Sequence, residues 1–184
     1  MPPLRITGPR IALRPYVPQD LQAVLRYAAD PDVVRFLPWG PEGPEEVQAF
    51  IARTMQNARR RPRREYELAA VLRETGELVG AGRIGILSLE HRCGDIGYVL
   101  RRDAWGRGLG GEIAQALLAF GFGQLGLHRI EATCDPGNAA SRRVLERAGM
   151  RLEGLRREDI WVRGAYRDSL SFAVLAPEWS AGGG

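Results

Sequence analysis

Between Arg10 and Tyr16, apolar Ile11 and Leu13 alternate with polar neighbours such as Arg14, a period of two that predicts a strand ended by Pro15 and Pro18. The period then lengthens: Leu21, Val24, Leu25 and Ala28 recur at helical spacing and place a helix over 20–29, stopped at Asp30-Pro31-Asp32. A loop follows in which Phe36 and Trp39 stand among Pro38, Gly40, Pro41, Gly43 and Pro44. A second helix over 45–60 is acidic at its start and basic at its end, as the helix dipole favours. Strands over 66–72, 78–89 and 95–100, separated by Glu74-Thr75-Gly76-Glu77 and by His91-Arg92-Cys93-Gly94, read as an antiparallel meander. Leu109, Ile113, Ala116, Leu117 and Phe120 then mark a helix whose end is weakened by Gly121, Gly123 and Gly126. A strand over 130–134, a helix over 139–148 closed by Gly149, and a final strand pair over 150–162 and 169–175 complete the pattern. The expected architecture is one α+β domain over 1–179 with mixed sheet pairing, and a frayed tail over 180–184.

Composition narrows the chemistry. The chain has 184 residues and carries no internal repeat, as suits one domain. All 26 basic residues are Arg, so no Lys is present for a Schiff base or a P-loop. The two cysteines, Cys93 and Cys134, make neither a secreted framework nor a C-x-x-C pair, and His91 and His128 lack ligand spacing, so no metal is expected. No apolar stretch is long enough to span a bilayer and no signal-peptide core is visible, so the expectation is a soluble cytoplasmic protein without membrane contact. A net charge of +4 is compatible with anionic ligands and is not diagnostic of nucleic acid.

The densest local signal is Trp105-Gly106-Arg107-Gly108-Leu109-Gly110-Gly111-Glu112, between a strand and a helix. Glycines there let the backbone approach a ligand closely, and the unpaired N–H groups and dipole of the next helix seat an anion, with Arg107 adding charge. A phosphate or pyrophosphate is the natural occupant. Walker A chemistry is excluded by the lack of Gly-Lys-Ser/Thr. Gly106, Gly108 and Gly111, with Glu131 further on, formally match a dinucleotide fingerprint. However, residues 101–105 separate strand from glycine, and no βαβ series surrounds the motif.

The segment also fits Gln/Arg-x-x-Gly-x-Gly/Ala with Trp in the first position, and WGRGLGGE resembles the GNAT-superfamily N-acetyltransferases, specifically their RimJ/RimL-type branch. The resemblance extends through IALRPYVPQD, VVRFLPWGP, DIGYVL, HRIEATCDPGNAASRRVLERAGMRLEG and WVRGAYRDSLSFAVL. It implies a mixed, mostly antiparallel sheet of six or seven strands, splayed at the centre, with about four helices on its faces. It implies acetyl-CoA as cofactor, with pantetheine bonded along 95–100 at Val99 and Leu100. The diphosphate would lie on Trp105, Gly106, Arg107, Gly108, Leu109, Gly110 and Gly111. Gly97 suits a bulge or a close backbone approach. Asn138, an N-cap on its own terms, and Ser141 would face the thioester, Ser141 assisting the departing thiolate in place of the family's more usual Tyr. Phe36 and Trp39 would floor the acceptor pocket, or else pack the first two helices together.

The base is the least defined part. Glu131, Asp95, Glu158 and Asp159 are the carboxylate candidates, with Glu131 beside the sheet opening and Glu158 on the late strand that borders the acceptor cleft in this family. A Lys amine is almost wholly protonated at neutral pH whereas an α-amine is about 14% neutral, a difference of about 3.5 kcal/mol, so an α-amine needs little help. The resemblance leaves the acceptor open between a protein N-terminus and a small-molecule amine. The alternative function is a CoA-binding sensor or interaction module without catalysis. Arg59–Arg64 reads as a solvated loop, or as a contact for ribosomal RNA or an acidic protein face. A homodimer is a further expectation, because relatives of this type often pair.

Overall fold

In a computed structural model, which describes residues 4–181, the period-two segments pair into one sheet. Its strands are β1 (Ile6–Thr7), β2 (Ile11–Arg14), β3 (Glu65–Leu72), β4 (Leu78–Ser88), β5 (Cys93–Leu100), β6 (Arg129–Cys134), β7 (Arg151–Val162) and β8 (Ala165–Leu175). The helices are α1 (Leu21–Ala28), α2 (Pro31–Val34), α3 (Pro44–Asn57), α4 (Leu109–Gly123), α5 (Ala139–Arg147) and α6 (Ala176–Ala181). The spatial order is β1-β2-β3-β4-β5-β6-β8-β7. Every neighbouring pair is antiparallel except β5 with β6.

Among the described residues the sheet has eight strands rather than six or seven, and six helices rather than about four accompany it. The extra strand, β1, is two residues long and pairs Ile6 with Leu13, too short to carry a period. The extra helix α2 begins where Asp30-Pro31-Asp32 reads as a stop. Asp30 Oδ1 accepts the Asp32 N–H at 2.9 Å and Pro31 starts the turn, so the same three residues that end α1 cap its successor. The last helix, α6, takes in Ser180 and Ala181 of the expected tail, and the rest of that tail lies outside the described residues.

Each sheet face has its own core. On one face α4 lies across the strands, with Ile113, Leu117 and Leu118 fully buried against Leu13, Leu68, Ile84, Ile130 and Phe172. Full burial of each such side chain contributes about 1.5–3 kcal/mol. Gly121 does not weaken this helix as its composition suggests. A Cβ there would lie 2.5 Å from Ile130 Cδ1 and 2.7 Å from Ile84 Cδ1, so glycine is what lets α4 lie flat on the sheet. On the opposite face α1 and α3 pack Val24, Tyr27, Val47 and Ile51 over Ala12, Ala69 and Val71.

The feature that positions the site is the parting of β5 and β6. They are paired only from Cys93 with Arg129 to Asp95 with Glu131, after which the strands diverge. The splay opens between the two cores.

Candidate active site

Backbone alternation decides which groups face the opening. The Arg101 N–H donates to Val79 O of β4 at 2.8 Å, and the β4–β5 register is unbroken from Gly94 to Leu100. Residues of the same parity as Arg101, Val99 among them, therefore turn their backbone toward β4. Ile96, Tyr98 and Leu100 turn theirs toward β6, where the strand partner has departed. Leu100 O accepts the Trp105 indole N–H at 2.9 Å. Thus Leu100 lies on the open edge as the sequence suggests, whereas Val99 does not, and its place is taken by Tyr98. Side chains alternate likewise. Tyr98 and Leu100 pack with the α4 core and Val99 with the α1/α3 core.

At the far end of that edge stands the N-terminus of α4. Gly106 and Gly108 have φ of +73° and +77°, the left-handed region that glycine enters without penalty. Gly108 is the N-cap and supplies no side chain, which leaves the N–H groups of the first turn facing outward. A Cβ on Gly106 or on Gly111 would meet nothing within 4 Å, so the cradle is open on its ligand side. Arg107 is exposed, and buried Leu109 offers only its amide. Glu112, the acid in the first turn, is turned away from the cradle by Arg10. The Arg10 backbone N–H donates to Glu112 Oε2 at 2.9 Å, its guanidinium bonds the other carboxylate oxygen, and its Nη2 donates to Arg107 O at 3.0 Å. This arrangement removes a negative charge from the anion seat and fixes the loop that forms it. The donor set of amides and Arg107 fits a diphosphate.

The start of α5 closes the opposite side. Asn138 Oδ1 accepts the Ser141 N–H at 3.0 Å, which makes Asn138 the N-cap. The Tyr98 hydroxyl lies 3.0 Å from Ser141 Oγ and also donates to Ser141 O at 3.3 Å. Its ring reaches the α4 N-terminus, where a Cβ on Gly110 would lie 3.7 Å from Tyr98 Cε2 and 3.6 Å from Val144 Cγ2. The splayed strand, the glycine turn before α4 and the α5 cap therefore meet around Tyr98, a residue the sequence reading passed over. Its one sequence signal is parity: between Ile96 and Leu100 it falls on the core face, and a buried phenol needs a partner. Burial raises the Tyr98 phenol to about 12 despite the Ser141 bond. Burial likewise raises the Cys134 thiol at the end of β6 to about 11, with Ser141 acting in the opposite direction.

The carboxylates fall elsewhere. Glu131 faces the α1/α3 side and is held by Arg129 Nε at 2.8 Å and Arg156 Nη2 at 3.3 Å. Asp95, its neighbour on the last paired rung, bonds Arg83, which also pairs with Glu65 and Glu67. Burial raises the Glu67 carboxyl against the opposing effect of Arg83. Glu158 sits with φ +49° in a bulge of β7, its N–H donating to Asp168 Oδ1 at 2.8 Å. That strand is the sheet edge, with β8 between it and β6. Asp159 is in the same bulge.

The loop over 35–43 is fastened from two sides. Arg163, at the β7–β8 turn, donates to the carbonyls of Val34 (2.9 Å), Trp39 (2.8 Å) and Gly40 (3.0 Å), with longer bonds to Arg35 and Leu37. Phe36 packs on the β6–α5 loop, where a Cβ on Gly137 would lie 3.3 Å from its ring. Trp39 packs with the α1/α3 core. The two sequence-predicted aromatics therefore diverge, Phe36 toward the α5 cap and Trp39 inward. Arg59–Arg61 and Arg64 are exposed, and Arg63 stacks over Tyr66 at 4.2 Å. Among the described residues, no cluster of His, Cys, Asp and Glu is arranged to hold a metal, and no helix is long and apolar enough to cross a membrane.

The chain is similar to known proteins. The chain is 33% identical over 178 residues, 96% of its length and 100% of the relative's, to a Bacillus subtilis protein named "Uncharacterized N-acetyltransferase YnaD". A "Putative ribosomal N-acetyltransferase YdaF" of the same organism is 31% identical over 111 residues, 58% of this chain and 61% of YdaF. The solved structure of Mycobacterium smegmatis RimJ in complex with CoA-disulfide superposes with a TM-score of 0.83 at 28% identity, over 98% of this chain and 95% of that one. The model of the acetyltransferase (GNAT) domain matches residues 10–151. An open sheet parted beside a glycine-led helix, matched by that model over most of the chain, makes this protein an acyltransferase of the GNAT family.

Proposed function

We propose that the protein transfers acetyl from acetyl-CoA to a primary amine by direct attack, and that the acceptor is the α-amine of a protein. The observation that carries the reading is the outward-facing turn at Gly106–Gly111, set beside the unpaired edge of β5. Acetyl-CoA supplies an activated acyl carbon and a thiolate leaving group. The amides of the first turn of α4, with Arg107, hold the diphosphate. The free backbone groups of Ile96 and Tyr98 bond the pantetheine amides as a strand would. The amine attacks the acyl carbon, the N–C bond forms and the C–S bond breaks, and the sulfur leaves as thiolate with a hydrogen bond from the Ser141 hydroxyl, which keeps its proton. Asp95 and Glu131, on the last rung and on the α1/α3 face, take up the amine's proton through water.

A covalent route through Cys134 is disfavoured. With its thiol raised to about 11, roughly one molecule in ten thousand carries the reactive thiolate at neutral pH. An α-amine acceptor fits a site whose carboxylates are engaged by Arg83, Arg129 and Arg156, because it arrives partly neutral. The name of YdaF points toward a ribosomal acceptor.

The test is incubation with radiolabelled acetyl-CoA and matched peptides, one with a free N-terminus and one blocked there but bearing Lys. Label on the first peptide is expected, and Ser141→Ala should lower kcat roughly tenfold or more with a smaller change in KM for acetyl-CoA. Retention of CoA with transfer to no amine would overturn the reading in favour of a binding module.

A further inference from the structure

We infer that Tyr98 is a positioning residue for the acyl transfer: its phenol fixes the Ser141 hydroxyl so that the one hydrogen of that hydroxyl points into the opening between β5 and β6. The inference rests on the proposed reaction only in taking the CoA sulfur as what Ser141 meets there.

The geometry is three-point. Ser141 N–H is held by Asn138 Oδ1 at 3.0 Å, while its carbonyl and its Oγ lie 3.3 and 3.0 Å from the Tyr98 hydroxyl. A phenol has one hydrogen to donate, and a serine hydroxyl has one hydrogen and two acceptor sites. The one phenol hydrogen is shared between Ser141 Oγ at 3.0 Å and Ser141 O at 3.3 Å, and with that hydrogen on Oγ the serine hydrogen points away from Tyr98. A Cβ built on Gly110 would lie 3.7 Å from Tyr98 Cε2, so the ring sits close to the first turn of α4, and its backbone belongs to β5. Burial keeps the phenol protonated across the physiological range, so it remains a donor while negative charge builds on the sulfur. The two hydroxyls form a chain in which the far bond strengthens the near one. Tyr98 gives up no proton in this scheme, and its contribution is orientation.

The experiment reads the sulfur directly. CoA is bound to the wild-type protein and to Tyr98→Phe, Ser141→Ala and the double variant. The bound thiol is titrated by the ultraviolet absorbance of its thiolate, after subtraction of the CoA-free protein to remove Cys93, Cys134 and the tyrosines. Tyr98→Phe and Ser141→Ala should each raise the midpoint by roughly half to one pH unit, with CoA affinity unchanged. The double variant should do no more than Ser141→Ala alone, because both changes remove one chain. In turnover, Tyr98→Phe should lower kcat roughly three- to tenfold without changing KM for acetyl-CoA.

A midpoint that moves in Ser141→Ala but not in Tyr98→Phe overturns the role of Tyr98 and leaves the acetyltransferase reading intact. A midpoint that moves in neither removes Ser141 from the sulfur and Tyr98 with it. Wild-type protein that binds no CoA overturns the proposed function itself. If Tyr98→Phe loses CoA binding through misfolding, 3-fluorotyrosine at position 98 keeps the packing and strengthens the donor. That substitution should lower the midpoint, and an unmoved midpoint would refute the inference.

Discussion

At Tyr98 one hydroxyl links stability to chemistry. Its phenol is raised from 10.0 to about 12, mainly by burial, with the Ser141 bond acting in the opposite direction. The folded state therefore holds this proton more tightly than the unfolded chain. The stability that the difference contributes is complete below pH 10, and it is lost as pH rises through about 12. Melting temperatures taken below pH 10 and again at about pH 12 should fall further for wild type than for Tyr98→Phe. Equal falls would mean that Tyr98 is not the buried donor described. The residue scale also shows what sequence can convey. Gly106 and Gly108 are legible because a positive φ selects one residue type, and both have it. Asn138 is legible because an N-cap acts within three residues. The Tyr98–Ser141 bond joins residues 43 apart, and no local pattern encodes it. The sequence points to Val99 and Leu100 without saying which edge of β5 stays unpaired.

Elements bring these residues together through fastenings that leave little trace in composition. Arg163 is an exposed Arg in a chain full of them, yet it gathers carbonyls from Val34 to Gly40 and ties the α2–α3 connection to the β7–β8 turn. Its partners are main-chain oxygens, which any sequence would supply, so only the fold reveals the clamp. Arg163→Ala should cost about 1–2 kcal/mol, a drop of roughly 3–6 °C in Tm. Amide hydrogen exchange over 34–41 should quicken while CoA affinity is unchanged. Unaltered exchange in that segment would show the clamp to be ornamental. The long elements were readable from period alone: α4, α5 and the meander lie within a few residues of their predicted limits. The short ones were not. β1 offers two residues, and α2 begins on residues that also end α1. α6 begins at Ala176 and only its last two residues fall in the expected tail over 180–184, while Trp179 packs its ring 5.4 Å from Phe122.

Across the whole molecule the two sheet faces divide the labour. The face covered by α4 and α5 carries the amide cradle, Tyr98 and Ser141, while the opposite face carries Asp95 with its partner Arg83 and Glu131 with Arg129 and Arg156. The splay is where they meet, and the proposed reaction would bring donor and acceptor together there from opposite sides of a sheet a single layer thick. This division follows from strand order and register, above all from the single parallel junction of β5 with β6. Parity along β5 was visible in the sequence, but the early end of that pairing was not. The proposed function requires the head of α4 to hold the diphosphate of CoA, and calorimetry comparing CoA with pantetheine, which lacks the diphosphate, puts that to the test. Saturable binding of CoA is expected, with at least roughly 100-fold weaker binding of pantetheine, the equivalent of two charge-assisted hydrogen bonds. Flat heats with CoA on folded protein, or equal affinity for the two ligands, would contradict it.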